Sequence, residues 1–492
     1  FKSVQDILFR QEIKKWEKEC KWENFVDEDL IHNLIKSTEN PSKERVLSII
    51  EKAKANATTG TMLSLEDTAV LLNNKNKELD EEIFKAATYI KEEVYGNRIV
   101  LFSPLYIASP CVNDCEYCGF KASNSSLVKK ILKNDEIKSE VEALLDSGQK
   151  RLIAVYGEHP KSDYKFIAQS VREIYSVKKD KSEIRRANIN AAPMFEYEYK
   201  AIKDEGIGTY QVFQETYHRE TYEKVHPQHT LKGQYEWRLF ALHRGLNAGL
   251  EDVALGILLG LYDYRFDVLA MLSHAYSLER YFGISAHTMS FPRIKDTSAT
   301  CSTDNSYLVN DEDFLRIIAI IRLMCPFTGT ILTAREEPEL RDIALKKCGI
   351  SQTDAGTNIG IGGYSQTKTK NDLSNQQFKI GDNRSIDEFI LSIIKDGRLP
   401  SFCTSCYREG RTGENFMPLA KNATIKYLCI PNGILTFKEY IRDYASAEVK
   451  EIGENVIIPK YLGMLKENLP KVALKVEEML KEIENGGKDA HL

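Results

Sequence analysis

The chain has 492 residues, 42% of them hydrophobic and 28% charged, with a formal net charge of -5. That length holds one large domain with additions, or two or three domains, and the acidic balance speaks against a nucleic-acid partner. No apolar run reaches membrane-spanning length, and ten cysteines without a cleavable apolar leader point to a reducing, cytoplasmic setting with no membrane role.

Residues 1–85 read as an N-terminal helical extension. Segments opening at Val4, Asp27, Ser42, Ser64 and Leu79 carry apolar residues every three or four positions, mostly with Ser or Asp at their starts. From about residue 97 the pattern changes, and strand-length apolar runs alternate with amphipathic helices. Eight strands are expected, at 99–108, 151–156, 186–192, 209–215, 252–261, 287–292, 329–335 and 352–361. Helices such as 135–145, 231–246, 266–282 and 311–324 fall between them. Such alternation implies parallel βαβ units, and eight units make a TIM-type (β/α)8 barrel, assigned to residues 86–370. A polar stretch, 365–372, reads as the hinge into a mostly helical C-terminal domain, 371–492. In a barrel of this kind the functional groups belong at the C-terminal strand ends and in the loops after them. Gly157-Glu158, Glu215, Asp263, Arg265 and Arg335 all fall there.

Directly after the first strand come Cys111, Cys115 and Cys118, spaced by three residues and then two. Three soft thiolates can hold three corners of a cubic four-iron cluster and leave the fourth iron open to a small molecule. A zinc knuckle would need a fourth ligand close by, and the next histidine is His159. With Tyr117 between the second and third cysteines, the run resembles that of the radical S-adenosylmethionine (SAM) enzymes. The resemblance implies a 4Fe-4S cluster whose open iron is chelated by SAM, and reductive cleavage of SAM to a 5′-deoxyadenosyl radical.

A second set lies in the C-terminal domain. Cys403 and Cys406 are separated by two residues, and Cys429 follows after 22 more. Alone, the first pair would suit zinc or redox chemistry. No fourth ligand is near, so a second iron–sulfur cluster is expected. Together the two sets resemble the tyrosine lyases that mature FeFe-hydrogenase, over residues 97–440, including the Gly410-Arg411-Thr412-Gly413 turn and Asn432-Gly433. By that resemblance, L-tyrosine is cleaved at Cα–Cβ to p-cresol and dehydroglycine. Dehydroglycine then yields carbon monoxide and cyanide at the second, auxiliary cluster, for an iron complex of the hydrogenase active site. The resemblance also implies a reductant such as ferredoxin or flavodoxin, and hydrogenase maturation partners. The alternative branch, the thiamine-pathway 2-iminoacetate synthase, shares the barrel and the first cleavage but needs no second cluster. A non-catalytic electron-transfer or iron-sensing protein would need less machinery than eight strands with a polar mouth. Both open irons are expected to face one shared interior cavity.

The same resemblance assigns further residues. Tyr117 and the Gly157-Glu158 loop belong with the bound SAM, the loop at its methionine ammonium. Glu215 either binds the ribose hydroxyls or serves as a charge at a helix N-terminus. The run 256–265, with Leu261, Asp263 and Arg265, lies on the adenine side or simply packs. Tyr106 points into the barrel mouth or is a core aromatic. Arg335 clamps the substrate carboxylate in two-pronged fashion, or pairs with Glu336 or Glu337. His287, in preference to His274, is expected as a ligand of an extra iron at the second cluster; otherwise it is a satisfied core histidine.

Overall fold

The strand β1 (Arg98–Ala108) is buried along all 11 residues, and its length decides the architecture. The computed structural model describes residues 4–179, 182–295, 297, 305–366 and 373–492, so most of the expected hinge lies outside the described residues. Seven more parallel strands follow in chain order: β2 (Arg151–Tyr156), β3 (Arg186–Asn190), β4 (Tyr210–Gln211), β5 (Val253–Gly256), β6 (Thr288–Ser290), β7 (Gly329–Leu332) and β8 (Gln352–Asp354). Each pairs with the next, and β8 pairs back onto β1 through Val100–Gln352 and Phe102–Asp354, which closes the barrel. Helices cover the outside, as the alternating pattern requires.

The strands are mostly shorter than the apolar runs that announce them. The run at 209–215 forms a two-residue ladder, and its tail reaches only an isolated bridge between Glu215 and Ile257. The residues past each ladder lean into the mouth, so their apolar and polar side chains line a site in place of continuing a sheet. The expected helix 231–246 is two helices, Tyr235–Leu239 and Ala241–Asn247, separated at Phe240.

A ninth strand was not legible in the sequence. β9 (Leu399–Ser401) pairs in parallel with residues 98–100 of β1. Val100 therefore has β8 on one edge and β9 on the other, and β9 continues the wall beneath β2, which joins β1 only from Ser103 onward. The chain is thereby delivered to the N-terminal end of the barrel, and Cys403 follows two residues later. The helix Lys426–Asp443 packs on β9; Gly433 permits this, since a Cβ there would lie 2.8 Å from Leu399 Cδ2.

The N-terminal helices Glu28–Ser37, Lys43–Thr59, Leu65–Leu72 and Lys77–Tyr95 start where Asp27, Ser42, Ser64 and Asn76 cap their first turns. They pack against the barrel helices Tyr264–Phe282 and Asp311–Met324. Among the described residues, no helix is long and apolar enough to cross a membrane.

A buried ion pair ties the last strand to the segment beyond it. Arg341 donates to Asp382 at 2.6 Å and to Asp354 at 3.3 Å, with its side chain 2% exposed. Without Arg341, Asp354 loses its cation, while Asp382 keeps Arg384 at 2.6 Å. Arg341→Ala should therefore lower the unfolding free energy by about 3 kcal/mol, measured as a fall in the denaturation midpoint.

Candidate active site at the barrel mouth and a second cysteine site at its floor

At the mouth, a cavity of about 220 Å³ is walled by Cys111, Cys115 and Cys118 on one side and by the ends of the barrel strands on the others. The cysteine loop follows β1 directly, so the closed sheet fixes its entry. Its sulfurs receive neutral donors. Asn113 Nδ2 stands 3.6 Å from Cys111 Sγ, and Gln377 Nε2 donates to Cys118 Sγ at 3.3 Å. Burial, with Glu158 and Cys118 nearby, pushes the Cys111 thiol up to about 11. Thiols in such a pocket become thiolates when a metal replaces the proton.

The expected neighbours gather unevenly. Tyr117 lines the cavity and its hydroxyl lies 2.7 Å from His226 Nε2. Gly157 is held by its N–H donating to Ala108 O at 2.7 Å, and a Cβ there would meet Pro110 O at 2.3 Å, so no side chain fits. Glu158 accepts from Asn113, and burial raises its carboxyl above the usual range. Glu215 adopts φ +74°, a strained backbone for a residue with a side chain. It does not open a helix, because the next one starts at Arg219. Burial opposes its charge, but Lys232 at 2.8 Å and Arg238 at 3.7 Å outweigh that and hold the carboxyl below its usual range.

Tyr106 and Arg335 both line the cavity. The Tyr106 hydroxyl donates to Gln377 Oε1 at 3.0 Å. Arg335 lies over the Phe378 ring at 3.5 Å and donates to Arg293 O. Glu336, its expected rival partner, is instead bound by Arg293 and Lys295. Leu261, Asp263 and Arg265 do not reach this cavity's wall. Leu261 packs with Val225 and Leu258 behind Tyr117. Asp263 caps the helix Tyr264–Phe282 and pairs with Arg265 at 2.6 Å.

Lys232, Arg238, Asn113 and Gln377 escaped the sequence reading. Lys232 and Arg238 come from a loop and a short helix with no motif. Gln377 belongs to residues 376–380, which close over the mouth from beyond the barrel; Gly119 N donates to Gln377 O at 3.0 Å. Asn113 sits inside the cysteine run, and its place between two cysteines was the one available signal.

At the opposite end, Cys403, Cys406 and Cys429 surround a smaller cavity of about 50 Å³, with Arg98, Arg151, His287 and Tyr407. Cys403 follows β9, Cys406 lies in the short helix Ser405–Arg408, and Cys429 lies in the first turn of Lys426–Asp443. Arg98 Nη2 stands 3.3 Å from Cys429 Sγ. His287 precedes β6; its Nε2 lies 3.0 Å from the Tyr407 hydroxyl and its Nδ1 3.4 Å from Asp252 Oδ1. Burial holds the imidazole down to about 4, so it is neutral near pH 7, the form that binds metal. His274 is elsewhere: it bonds Tyr217 and stacks on Phe25 and His243.

The two cavities share no lining residue. Arg98 and Val100 of β1 line the lower one, and Phe102, Pro104 and Tyr106 the upper. Phe102, Ile153 and Ile331 form an apolar layer of their own. The single shared chamber expected from the sequence is thus two chambers on one axis, because a small barrel fills its middle with side chains. Among the described residues, no three His, Cys, Asp or Glu side chains converge as a single metal ion needs. Each cysteine triplet instead stands around a cavity with nitrogen donors on its sulfurs, a donor set that fits an iron–sulfur cluster.

Parallel closed barrel, cysteine loop after the first strand and polar mouth together define a radical SAM enzyme. Residues 105–275 match the Radical SAM superfamily model, and residues 290–398 match the Biotin and Thiamin Synthesis associated domain. The crystal structure of HydG, a maturase of the FeFe-hydrogenase, is 41% identical, with a TM-score of 0.89, covering 96% of this chain and 100% of that one. HydG from Carboxydothermus hydrogenoformans is 34% identical, with a TM-score of 0.78, over 92% of this chain and 97% of that one. The 2-iminoacetate synthase of Escherichia coli (strain K12) is 28% identical over 351 residues, 70% of this chain and 88% of that protein. The chain belongs to the HydG family. It is an enzyme of the radical SAM tyrosine-lyase group, and its cofactors are a 4Fe-4S cluster, SAM and a second, auxiliary iron–sulfur cluster.

Gly157→Ala should force the loop away from Pro110. Overpacking of this kind costs about 1–3 kcal/mol, so SAM affinity should fall about tenfold or more, read by equilibrium dialysis against the reconstituted protein.

Proposed function

We propose that the chain cleaves L-tyrosine at Cα–Cβ to p-cresol and dehydroglycine at the mouth, and converts dehydroglycine to carbon monoxide and cyanide at the floor. The products build an iron complex for the hydrogenase active site. In this reading Cys111, Cys115 and Cys118 hold the first cluster, and Cys403, Cys406 and Cys429 the second, with His287 on an extra iron. When bound, the first cluster and SAM supply a 5′-deoxyadenosyl radical, the species that takes hydrogen from the substrate amino group.

The chain's own residues do the rest. Arg335 receives the tyrosine carboxylate, since its guanidinium makes no ion pair among the described residues and faces the cavity beside Tyr106. Tyr117, Gly157 and Glu158 hold the methionine end of SAM; Glu215, already fixed by Lys232, faces its ribose. Leu261 supports the adenine side from behind Tyr117, while Asp263 and Arg265 hold the start of the helix that follows it. The apolar layer of Phe102, Ile153 and Ile331 keeps bulk water out of the route between the chambers. A ferredoxin- or flavodoxin-type reductant and hydrogenase maturation partners belong to the same reading.

The observation that carries it is the second triplet with His287 around one cavity on the axis of the first. The thiamine-pathway branch, whose 2-iminoacetate synthases from Escherichia coli and Salmonella typhimurium match at 28% and 29% identity, has no use for that floor. Anaerobic turnover with SAM, dithionite and tyrosine separates the two. Cys406→Ala with Cys429→Ala should spare p-cresol and abolish carbon monoxide; loss of both would sink the two-site scheme. Ile153→Trp should narrow the passage. Carbon monoxide per p-cresol should then fall several-fold, an outcome of filling a space where extra volume is poorly tolerated.

A further inference from the structure

The barrel floor carries an unusual charge balance. Arg98, Arg151 and Arg186 are the first residues of β1, β2 and β3, and they are 7%, 6% and 2% exposed. Register sets Arg151 level with Arg186. Guanidinium groups do not give up their protons in proteins. Among the described residues, the one carboxylate in ion-pair reach of the three is Asp252, 3.4 Å from Arg186. Around them stand the phenols Tyr95, Tyr175 and Tyr407, the neutral imidazole of His287, the three thiols and, beside Arg98, the further cations Lys91 and Arg322. Arg151 donates to the Cys403 carbonyl, and its Nε has no partner. Arg98 donates to Ser351 O and to Cys429 Sγ, each at 3.3 Å. Buried cations of this kind are costly unless anions answer them, and the nearest candidates are the sulfurs.

The mouth is closer to balance, since Lys232, Arg238 and Arg335 in its wall are answered by Glu158, Glu215 and Asp354. Its sulfurs meet the carboxamides of Asn113 and Gln377, and Glu158 and Glu215 stand in the same cavity wall. Iron–sulfur potentials follow net charge, hydrogen bonds to sulfur and exposure. An added electron is therefore favoured more at the floor, where the guanidiniums are largely unanswered, than at the mouth, where cations and carboxylates balance.

Building on the second-cluster reading above, we infer that Arg98 is a positioning residue that makes the floor cluster the more easily reduced of the two. Its guanidinium donates to the Cys429 sulfur, with Arg151 and Arg186 as a cationic backing. Electrons entering the enzyme then settle at the floor first, and the mouth cluster is reduced only by a stronger donor.

The test is a reductive titration of the holoenzyme followed by electron paramagnetic resonance, with iron and zinc analysis of the same samples. SAM alters the spectrum of the mouth cluster and so tells the two signals apart. In the unsubstituted protein the floor signal should appear at the higher potential. Arg98→Gln should reduce the equilibrium constant for one-electron reduction of the floor cluster about tenfold, about 59 mV, with the mouth midpoint unmoved. Arg98→Lys, which keeps the charge, should recover most of the shift. Should Arg98→Gln lose iron, Arg151→Gln carries the test, with a smaller fall expected in the same midpoint. Zinc or no metal at the floor of the unsubstituted protein overturns the second-cluster reading and this inference with it. An iron–sulfur cluster there that is reduced at or below the mouth cluster, or whose midpoint ignores these arginines, overturns the inference alone.

Discussion

The inward stripe of β1 is the constraint on which the rest depends. Alternate residues of a strand face one side, so Arg98, Val100, Phe102, Pro104 and Tyr106 all point into the barrel. The first two meet the lower cavity and the last three the upper. A strand of 11 residues is long enough to hold β2 along its upper part and both β8 and β9 along its lower part. Closure of the sheet and attachment of the floor are therefore one event in the ladder. The cysteine loop leaves the top of this strand, and Arg98, whose guanidinium donates to Cys429 of the second triplet, sits at its bottom.

The two ends are built from different chemistry on one frame. The mouth mixes carboxylates with Lys232, Arg238 and Arg335, which suits a zwitterionic substrate and a sulfonium cofactor with its own carboxylate. The floor gathers guanidiniums around sulfur. Between them stands a thin apolar layer of Phe102, Ile153 and Ile331. Segments remote in sequence supply the closures: residues 376–380 cover the mouth, and β9 with the helix Lys426–Asp443 covers the floor.

Much of this was legible in advance, for reasons that differ by residue. Eight strands appeared in the expected order because buried parallel strands leave continuous apolar runs. Cys111, Cys115 and Cys118 were legible because all three fall within one short loop, so their spacing is local. Tyr106 was placed by its position just ahead of the cysteine run, and Arg335 by its position at a strand end. Asp263 and Arg265 share that position, yet the chain uses them as a helix cap and its partner, and nothing in the local pattern separates the two uses. Lys232, Arg238 and Gln377 left no trace, since a lysine in a loop or a glutamine after a polar stretch reads as solvated until the fold turns it inward. β9 has three residues, one of them Pro400, too short and too atypical to announce a strand.

By itself, the sequence determined the kinds of element, their order and the number and spacing of the cysteines, because periodicity and short cysteine spacings are written in neighbouring residues. Only the tertiary structure decided that the two triplets occupy opposite ends of one axis, that His287 and not His274 attends the second, and that the interior is divided into two chambers. Those facts depend on strand register and barrel closure, which bring together residues hundreds of positions apart and which no local pattern encodes.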